Sequence, residues 1–399
     1  MRVVYLTPSA ALGGAERSLL DAILAVRAAR PGLEPTLLLG EEGPLLEAAQ
    51  AQGVAHRLVP FPAALAGVGD SALRESGAGA RRALLRRAPR AAAGALRYAR
   101  DLRRAVAELG PDLIHSNTLK THLLTPALGA RVPVLWHLRD YLSQRPLVSR
   151  LLRPAARAAA AGVAISRSLA EDARGVLPRL PIEVVYNAID LAAFDASGPA
   201  LELEAAPGAV RIGLVATYGR WKGHDLFLEA LSRLDPALPW RAYLIGGAIY
   251  RTAGSQWSRE ELEARARALG VAERVGFVDF VSDPAQAFRA LDVVVHASTR
   301  PEPFGRTIVE AMACGRAVVA ARAGGAAELF RHEVEAVGVP PCDPVALADA
   351  LRGLVLDPGR RAALGAAGHA AAHERFGRAR LGEDLARVYA RLVTHWSES

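Results

Sequence analysis

Residues 291–322, LDVVVHASTRPEPFGRTIVEAMACGRAVVAAR, have the pattern of a strand, a loop, a helix and a second strand. The apolar, β-branched run at 291–298 predicts a strand, and the run at 305–313 has the spacing of a helix that Gly315 ends. Residues 316–321 are again short and apolar. This order predicts a parallel β/α unit, because parallel neighbours need a crossover, usually a helix, between them.

The same alternation runs through the rest of the chain. Before residue 195 the strand-like segments are RVVYLT, EPTLLLG, HRLVPF, PDLIHSN, PVLWHLRD, AGVAIS and PIEVVYN. After it they are VRIGLVAT, WRAYLIGG, RVGFVDF, LDVVVHAS, RAVVAAR and AVGVPP. Helix-like runs separate these segments. We therefore predict an α/β fold with two Rossmann-like domains, each built on a doubly wound parallel sheet, facing each other across a cleft.

The length of 399 residues supports two domains, because a single hydrophobic core stops growing at about 250–300 residues. The connection at 195–209 is rich in Gly, Pro and Ala and marks the predicted boundary. We predict an N-terminal domain at 1–195, a C-terminal domain at 196–377 and a final amphipathic helix at 378–399. The apolar stripe of that helix is Leu381, Leu385, Val388 and Leu392.

The composition is that of a soluble globular protein, with 51% hydrophobic and 23% charged residues. The two cysteines, Cys314 and Cys342, cannot build a disulfide framework, which favours a reducing compartment. The first residues run directly into a strand without a signal-peptide pattern. We therefore predict a cytoplasmic protein.

Positive charge is concentrated in the N-terminal half. Residues 1–195 contain 25 basic and 17 acidic residues, a surplus of 8, and the segment 81–104 alone contains nine Arg and one Asp. Two interpretations of this segment stay open: a solvated helix face, or peripheral contact with an anionic membrane at its inner face. Nucleic-acid binding is disfavoured, because aromatic residues do not alternate with the arginines apart from Tyr98.

Glu302 and Glu310 are separated by seven residues, the first in a proline-containing loop and the second in the helix that follows. The backbone amides around Phe304, Gly305 and Arg306 lie at the start of that helix, where phosphate is attracted. Two carboxylates on either side of a phosphate can accept hydrogen bonds from hydroxyl groups on both halves of a nucleotide-sugar. The spacing alone fits equally well a solvated loop and a glutamate that complements the helix dipole.

The longer run EPFGRTIVEAMACGRAVVAARAGGAAEL, residues 302–329, resembles the signature of the retaining, nucleotide-sugar-dependent glycosyltransferases of family 4, which have the GT-B fold. The chain departs from it at Arg316 and Ala317, where the family usually has a residue followed by proline. The resemblance implies that Glu302 contacts the hydroxyls of the donor sugar and Glu310 those of the ribose. The donor-binding residues between them would be Phe304, Gly305, Arg306 and Thr307.

The segment LVATYGRWKGHDLFLEAL, residues 214–231, follows a strand and opens a helix. Lys222 at this turn can neutralise the phosphate charge that develops when the glycosidic bond breaks. The family has an arginine five residues before this lysine, and here that position is Thr217. Arg220 is displaced by three positions, so either Arg220 takes the role of that arginine or Lys222 acts with less help.

Gly13 and Gly14 lie between the first strand and the first helix. Glycines at such a turn let the backbone approach a ligand closely. They match the N-terminal glycine pair of the family, which faces the donor phosphates or the acceptor.

Polar residues also follow two strands of the N-terminal half. His115 and Asn117 come after one strand, and His137, Arg139 and Asp140 after the next. The family often has His-Asp near the transferred sugar, and Arg139-Asp140 occupy that register. We therefore take His137 as a candidate catalytic residue and the other four as candidates on the acceptor side. A purely structural role for each histidine is an equal alternative.

The resemblance implies a glycosyltransferase that moves a sugar from a nucleotide-sugar to the hydroxyl of a saccharide or lipid-linked saccharide. We predict that it needs no metal and no cofactor, because the chain has neither an Asp-x-Asp motif nor a close His/Cys cluster. The alternatives are another GT-B enzyme such as a nucleotide-sugar epimerase, or a non-catalytic nucleotide-sugar-binding protein. UDP, GDP and ADP all remain open as the nucleotide, and so does the oligomeric state.

Overall fold

The computed structural model describes residues 1–62, 78–248 and 254–398, without the side chains of 78–93 and of Ser397. It divides into two compact units. Unit 1 comprises Met1–Ala188 together with Arg378–Ser399, and unit 2 comprises Ile189–Gly377.

Unit 1 contains a seven-stranded parallel sheet in the order β3-β2-β1-β4-β5-β6-β7. Its strands are β1 (Arg2–Thr7), β2 (Glu34–Leu39), β3 (Ala55–Leu58), β4 (Leu113–Ser116), β5 (Val134–Leu138), β6 (Ala161–Ala164) and β7 (Ile182–Val184). Its helices before the boundary are α1 (Gly14–Ala29), α2 (Pro44–Ala51), α3 (Ala78–Leu109), α4 (Leu119–Leu128), α5 (Pro146–Ala155) and α6 (Arg167–Val176). The strand order changes direction between β1 and β4, a position at which such sheets bind ligands.

Unit 2 contains a six-stranded parallel sheet in the order β10-β9-β8-β11-β12-β13. Its strands are β8 (Val210–Val215), β9 (Trp240–Ile245), β10 (Val275–Val278), β11 (Val293–His296), β12 (Ala317–Ala321) and β13 (Val337–Val339). Its helices are α7 (His224–Leu231), α8 (Arg259–Ala268), α9 (Pro284–Arg289), α10 (Arg306–Ala313), α11 (Pro344–Leu356) and α12 (Pro358–Arg375). The prediction of two Rossmann-like α/β domains is confirmed.

The last helix, α13 (Arg378–Ser397), packs against α1 of unit 1. Leu381, Leu385 and Val388 of its predicted apolar stripe are buried in the core of that unit. The two helices approach so closely that a Cβ at Gly382 would lie 2.2 Å from the carbonyl oxygen of Ala25. The prediction that the C-terminal helix packs on the N-terminal domain is therefore confirmed.

The boundary between the units lies between Ala188 and Ile189, earlier than the predicted boundary after residue 195. The intervening residues are tied to unit 2 by hydrogen bonds. The amide of Ile189 donates to the carbonyl of Phe376 at 2.9 Å, and Arg289 donates to the carbonyl of Asp195 at 2.8 Å. Composition marked the Gly-, Pro- and Ala-rich connection, but these long-range contacts decide where the compact unit begins.

The arginine-rich segment 81–104 lies in α3, and the side chains of 81–93 are outside the described residues. Beyond them, Arg97, Arg100 and Arg104 are exposed, while Leu102 on the opposite stripe is 1% exposed. Contact of this segment with a membrane stays a prediction. Among the helices in the described part of the chain, we find none with the length and hydropathy that a bilayer crossing requires.

Candidate functional site

Lys222 and Glu302 meet at the point where the strand order of unit 2 changes direction. Lys222 ends a 3-10 turn that follows β8, and Glu302 lies in the loop after β11. β8 and β11 are neighbours in the sheet, so the two loops leave the same edge side by side. The Lys222 ammonium lies 2.5 Å from Oε1 of Glu302. Two residues that the sequence placed in separate segments thus form one ion pair.

The close approach of these loops depends on Gly223. Its φ is +79°, a left-handed conformation that favours glycine. A Cβ at this position would lie 1.9 Å from the carbonyl oxygen of Ala297, which follows β11. The turn carrying Lys222 can therefore lie directly against the end of β11 only with glycine at this position.

Three side chains surround the carboxylate of Glu302. Besides Lys222, the hydroxyl of Ser298 donates a hydrogen bond to Oε1 at 2.6 Å, and Nε2 of His296 lies 3.8 Å from the same oxygen. His296 is the last residue of β11 and Ser298 lies two residues after it, and both are buried. Burial alone would raise the pKa of Glu302, but the charge of Lys222 and the contact with His296 hold that pKa well below its usual range.

The backbone at Glu302 is fixed by the glycine-containing turn after β12. The Glu302 amide donates to the carbonyl of Ala323 at 3.3 Å, and the Gly325 amide donates to the carbonyl of Glu302 at 2.8 Å. The paired glycines of the run AGGAAE thus position the carboxylate through its main chain, although they lie more than twenty residues after it.

Glu310 lies in α10, which begins at Arg306 after Gly305 and has no side-chain cap. Glu310 is 5% exposed, and Nε of Arg306 donates to its Oε1 at 2.6 Å. The ring of Phe304 is buried and packs edge-on against Phe376, with the ring centroids 5.9 Å apart. Phe304 therefore offers a ligand only its backbone. Thr307 is half-buried in the first turn.

Arg220 does not join the Lys222–Glu302 pair through any contact that the structure describes. Its guanidinium stacks 3.8 Å from the centroid of the Trp257 ring and donates to Glu261 at 3.0 Å. Thr217, at the position of the family arginine, has a buried hydroxyl without a hydrogen-bond partner among the described residues. Beside the lysine, His224 is fully buried, and burial and then the charge of Lys222 lower its pKa to about 3.

Unit 1 brings the predicted histidines into one buried network. Nε2 of His115 lies 3.0 Å from Nδ1 of His137, and Nδ1 of His115 lies 2.6 Å from the hydroxyl of Tyr389 on α13. That hydroxyl lies 3.2 Å from the Tyr5 hydroxyl on β1. The C-terminal helix is thereby joined to the ends of two strands, β4 and β5.

Arg139 holds the other end of this network. Its guanidinium donates to the side-chain oxygens of Asn117 at 2.7 Å and Asn187 at 3.0 Å, and to Nδ1 of His137 at 3.3 Å. Asp140 instead pairs with Arg145 at 3.2 Å. Arg139, Asn117 and His137 are all buried, so four of the five polar residues predicted here, with His115, form one cluster.

The contact with Arg139 decides the tautomers of both histidines. A guanidinium only donates, so Nδ1 of His137 must accept, and the hydrogen of its neutral ring lies on Nε2. His115 then donates from Nε2 to His137, and its Nδ1 lies 2.6 Å from the Tyr389 hydroxyl. Burial first, and Arg139 second, hold the pKa of each histidine well below its usual range. His137 is therefore a neutral ring whose Nε2–H has no partner among the described residues.

The glycines at 13 and 14 lie at the start of α1, with Gly13 as the N-cap. A Cβ on Gly13 would lie 2.9 Å from Oε2 of Glu16 in the first turn of the helix. Burial raises the pKa of this carboxyl, and a backbone hydrogen bond and the charge of Arg139 partly oppose that shift. Glu16 is thus an additional polar group near the predicted acceptor-side residues.

Three residues of these contacts, Tyr389, His296 and Ser298, were not predicted from the sequence as site residues. Tyr389 lies within an apolar helical stripe and is typical of a core residue, so nothing in its neighbours indicated a hydrogen bond to His115. His296 and Ser298 were visible, because they are polar residues at the carboxyl end of β11. That position is the signal that could have found them.

Two family models match adjoining parts of the chain. The model described as Glycosyltransferase Family 4 matches residues 12–193, and the model described as Glycosyl transferases group 1 matches residues 203–370. Together they extend over most of both units.

Among curated proteins, the chain is 39% identical over 175 residues to the D-inositol 3-phosphate glycosyltransferase of Xylanimonas cellulosilytica, a match that covers 42% of this chain and 39% of that protein. It is 35% identical over 191 residues to the lipopolysaccharide core biosynthesis mannosyltransferase LpcC of Rhizobium leguminosarum bv. viciae. That match covers 47% of this chain and 53% of that protein. The chain spans about half the length of the curated relatives it matches.

Among solved structures, Anabaena HepE in complex with UDP and glucose superposes with a TM-score of 0.78 and 26% identity, over 98% of this chain and 99% of that one. Sucrose-phosphate synthase from Thermosynechococcus elongatus has a TM-score of 0.76 and 20% identity, over 99% of both chains. The likeness in fold therefore extends over nearly the whole molecule.

Proposed function

Because the chain belongs to glycosyltransferase family 4 and has the GT-B fold, we propose that it transfers a sugar from a nucleotide-diphosphate-sugar to an acceptor hydroxyl, with retention and without a metal ion. The observation that supports this most is the Lys222–Glu302 pair at the strand-order switch of unit 2, with Glu310 on the helix that follows. This edge offers a cation from the loop after β8, and two carboxylates and a helix N-terminus from the segment after β11.

In this proposal the donor lies along the turn from Glu302 to Glu310. The carboxylate of Glu302, kept ionised by Lys222, accepts hydrogen bonds from the hydroxyls of the donor sugar. The N-terminus of α10 receives the diphosphate, and Glu310 accepts from the ribose hydroxyls. Arg306 holds Glu310 in a fixed position for that contact.

Lys222 serves as the electrostatic catalyst. When the bond between the anomeric carbon and the phosphate oxygen breaks, the electron pair stays on that oxygen, and the Lys222 ammonium stabilises the new charge. The acceptor oxygen bonds to the anomeric carbon on the same face, and its proton passes to the leaving phosphate. Thr217 replaces the family arginine, and its buried hydroxyl is the polar group that the chain offers there.

Arg220 takes no part in this step in our proposal. Its guanidinium is engaged by Trp257 and Glu261, so we assign it to holding the turn in place. Removing the Arg220 charge should therefore lower donor affinity less than removing the Lys222 charge.

We assign the buried network of unit 1 to the acceptor side. His137 acts there as a hydrogen-bond donor through Nε2 rather than as a general base, because its other nitrogen accepts from Arg139. Arg139, Asn117 and His115 set the orientation of its ring. Gly13 and Gly14 would allow close approach of a substrate to the start of α1.

A uridine nucleotide is the donor we propose to test first, because the Anabaena protein was solved with UDP, and with UDP-glucose. The two relatives are named as a D-inositol 3-phosphate glycosyltransferase and a lipopolysaccharide core biosynthesis mannosyltransferase, and the second name favours a saccharide or lipid-linked saccharide as acceptor here. No cofactor is needed in this scheme.

The proposal is tested by a thermal-shift panel of UDP-, GDP- and ADP-sugars on the wild type and on Glu310→Ala, each with and without a chelator. One nucleotide class should stabilise the wild type, the chelator should change nothing, and the variant should lose most of the shift. Slow hydrolysis of the same donor without acceptor then separates an enzyme from a nucleotide-sugar-binding protein. A full shift in the variant would refute the ribose assignment.

A further inference from the structure

Helix α5 presents an apolar stripe to the outside of unit 1. Leu147 is 50% exposed and Leu151 is 59% exposed, one helical turn apart. Arg150 and Pro154 complete the exposed stripe, whereas the opposite side of the helix is buried in the core. Two large aliphatic side chains that stay uncovered beside an arginine are a feature of interaction surfaces.

A basic concavity adjoins this stripe. It has a volume of about 790 Å³ and lies at the amino ends of β6 and β7, with Arg153, Arg157 and Arg179 among its lining residues. Its lining residues lie within 153–160 and 175–181, and these two segments contain three arginines and no acidic residue. The concavity therefore has a strongly positive rim at the sheet edge opposite the one that carries His137 and Arg139.

Trp396 near the end of α13 extends the same surface. It is 43% exposed, and its indole N–H donates to the carbonyl of Arg131 at 2.8 Å, which fixes the ring orientation. It lines a smaller concavity of about 230 Å³ that shares Arg157 with the first one. An exposed tryptophan with one polar anchor is typical of residues at a membrane–water interface.

We propose that this surface docks unit 1 on an anionic phospholipid bilayer. We call it the α5 surface and define it by Leu147, Arg150, Leu151, Arg153, Arg157, Arg179 and Trp396. The leucines and the indole enter the boundary between headgroups and acyl chains, and the guanidinium groups bind lipid phosphates. Charge and apolar exposure coincide here, and this combination fits a lipid surface better than a nucleic acid, which offers no apolar layer.

The α5 surface is different from the arginine-rich segment of α3. The two helices are separated by α4, which packs against both. Arg97, Arg100 and Arg104 on α3 supply a matched set of exposed charges with which the proposal can be compared. Docking does not depend on the proposed transfer reaction, so the test uses binding alone.

The test is co-sedimentation of the full chain with vesicles of phosphatidylcholine, with and without phosphatidylglycerol. The wild type should bind only the anionic vesicles. The triple variant Arg150→Gln, Arg157→Gln, Arg179→Gln should lose about 100-fold in partitioning, since each basic residue near such a surface contributes roughly five-fold. In the α3 variant Arg97→Gln, Arg100→Gln, Arg104→Gln, partitioning should fall by at most about 10-fold. Equal loss in both variants, or no dependence on anionic lipid, overturns the proposal.

Three further measurements decide whether the surface enters the lipid. The variant Leu147→Ser, Leu151→Ser should lose at least ten-fold in partitioning with its melting temperature unchanged, and full retention of binding contradicts insertion. Bromine-labelled lipids should quench a fluorescence component that Trp396→Phe removes, and identical quenching in that variant also contradicts it. The last measurement adds inorganic phosphate or a single-stranded oligonucleotide as a competitor. If either one displaces the wild type from the vesicles, and the leucine variant binds as strongly as the wild type, the surface is a simple anion site and the proposal fails.

Discussion

The Lys222 ammonium lies 2.5 Å from Oε1 of Glu302, although the two residues are 80 positions apart. Both side chains are largely buried, and Gly223 holds their loops together. Removing either partner of such a pair destabilises the protein, because the charge of the other partner then stays buried without a counter-charge. In the function that we propose, donor chemistry and local stability depend on the same contact.

Replacing Lys222 with Ala should slow acceptor-independent hydrolysis of the donor by about 10²–10³-fold, since a positioned donor to the leaving oxygen is typically worth about 3–4 kcal/mol. Lys222→Arg keeps the charge and should retain part of the rate. The measurement is single-turnover hydrolysis of the nucleotide-sugar that stabilises the protein. Arg220→Ala is the comparison, and a larger loss there than in Lys222→Ala would contradict the assigned roles.

Glu302→Gln should lower the free energy of unfolding by about 2 kcal/mol at pH 7. The folded-state pKa of Glu302 is depressed, so its contribution is present above the unfolded value of 4.5 and is lost as the pH falls towards the folded value. The difference between wild type and variant should therefore shrink on going from pH 5 towards pH 3. Urea unfolding across that range measures it, and a constant difference would count against the depressed pKa.

Gly223→Ala should destabilise the protein by about 3 kcal/mol or more. The new Cβ would collide with the Ala297 carbonyl, and alanine is strained at this positive φ. We expect donor-induced stabilisation to fall as well, because Lys222 is the preceding residue. Gly32→Ala is the control: a Cβ there meets nothing within 4 Å, and its melting temperature should stay within about 2 °C of the wild type.

Tyr389→Phe should cost about 1–3 kcal/mol of stability, because Nδ1 of buried His115 loses its hydrogen bond. Tyr5→Phe removes a hydroxyl of the same pair without touching His115 and should cost less. Because Arg139 sets the tautomers through His137, we expect the His115 ring to keep its tautomer in the Tyr389→Phe variant. Nitrogen chemical shifts of the two imidazoles report this, and tautomer exchange in the variant would show that Tyr389 sets the tautomer instead.

A neutral His137 should give no inflection in the pH dependence of transfer between pH 6 and 8, because burial and Arg139 hold its pKa well below that range. His137→Gln, which retains a donor, should keep the shape of the profile with a moderate loss of rate. Steady-state kinetics with a saturating donor provide the profile. If an inflection near pH 6.5 disappears in the variant, His137 acts as a base and our assignment is wrong.

The sequence by itself determined the fold to a large extent. All thirteen described strands overlap segments that residue patterns predict as strands, because most buried parallel strands are short and apolar. The edge strand β3, Ala55–Leu58, is the exception in burial, since its His and Arg are not buried. The run 302–329 also identified the two glutamates and the turn between them at which we propose that phosphate binds. Local pattern sufficed here, since each of these features lies within one βα segment.

Only the tertiary structure decided which polar groups are partners. It joined Lys222 to Glu302 and turned Arg220 towards Trp257, contacts that depend on neighbouring strands rather than on sequence spacing. It likewise moved the unit boundary to Ile189 and linked Tyr389 to His115 across 274 positions. Sequence periodicity reports the burial of each side chain along its own element. Pairing across a sheet edge depends on strand order, which no local pattern contains.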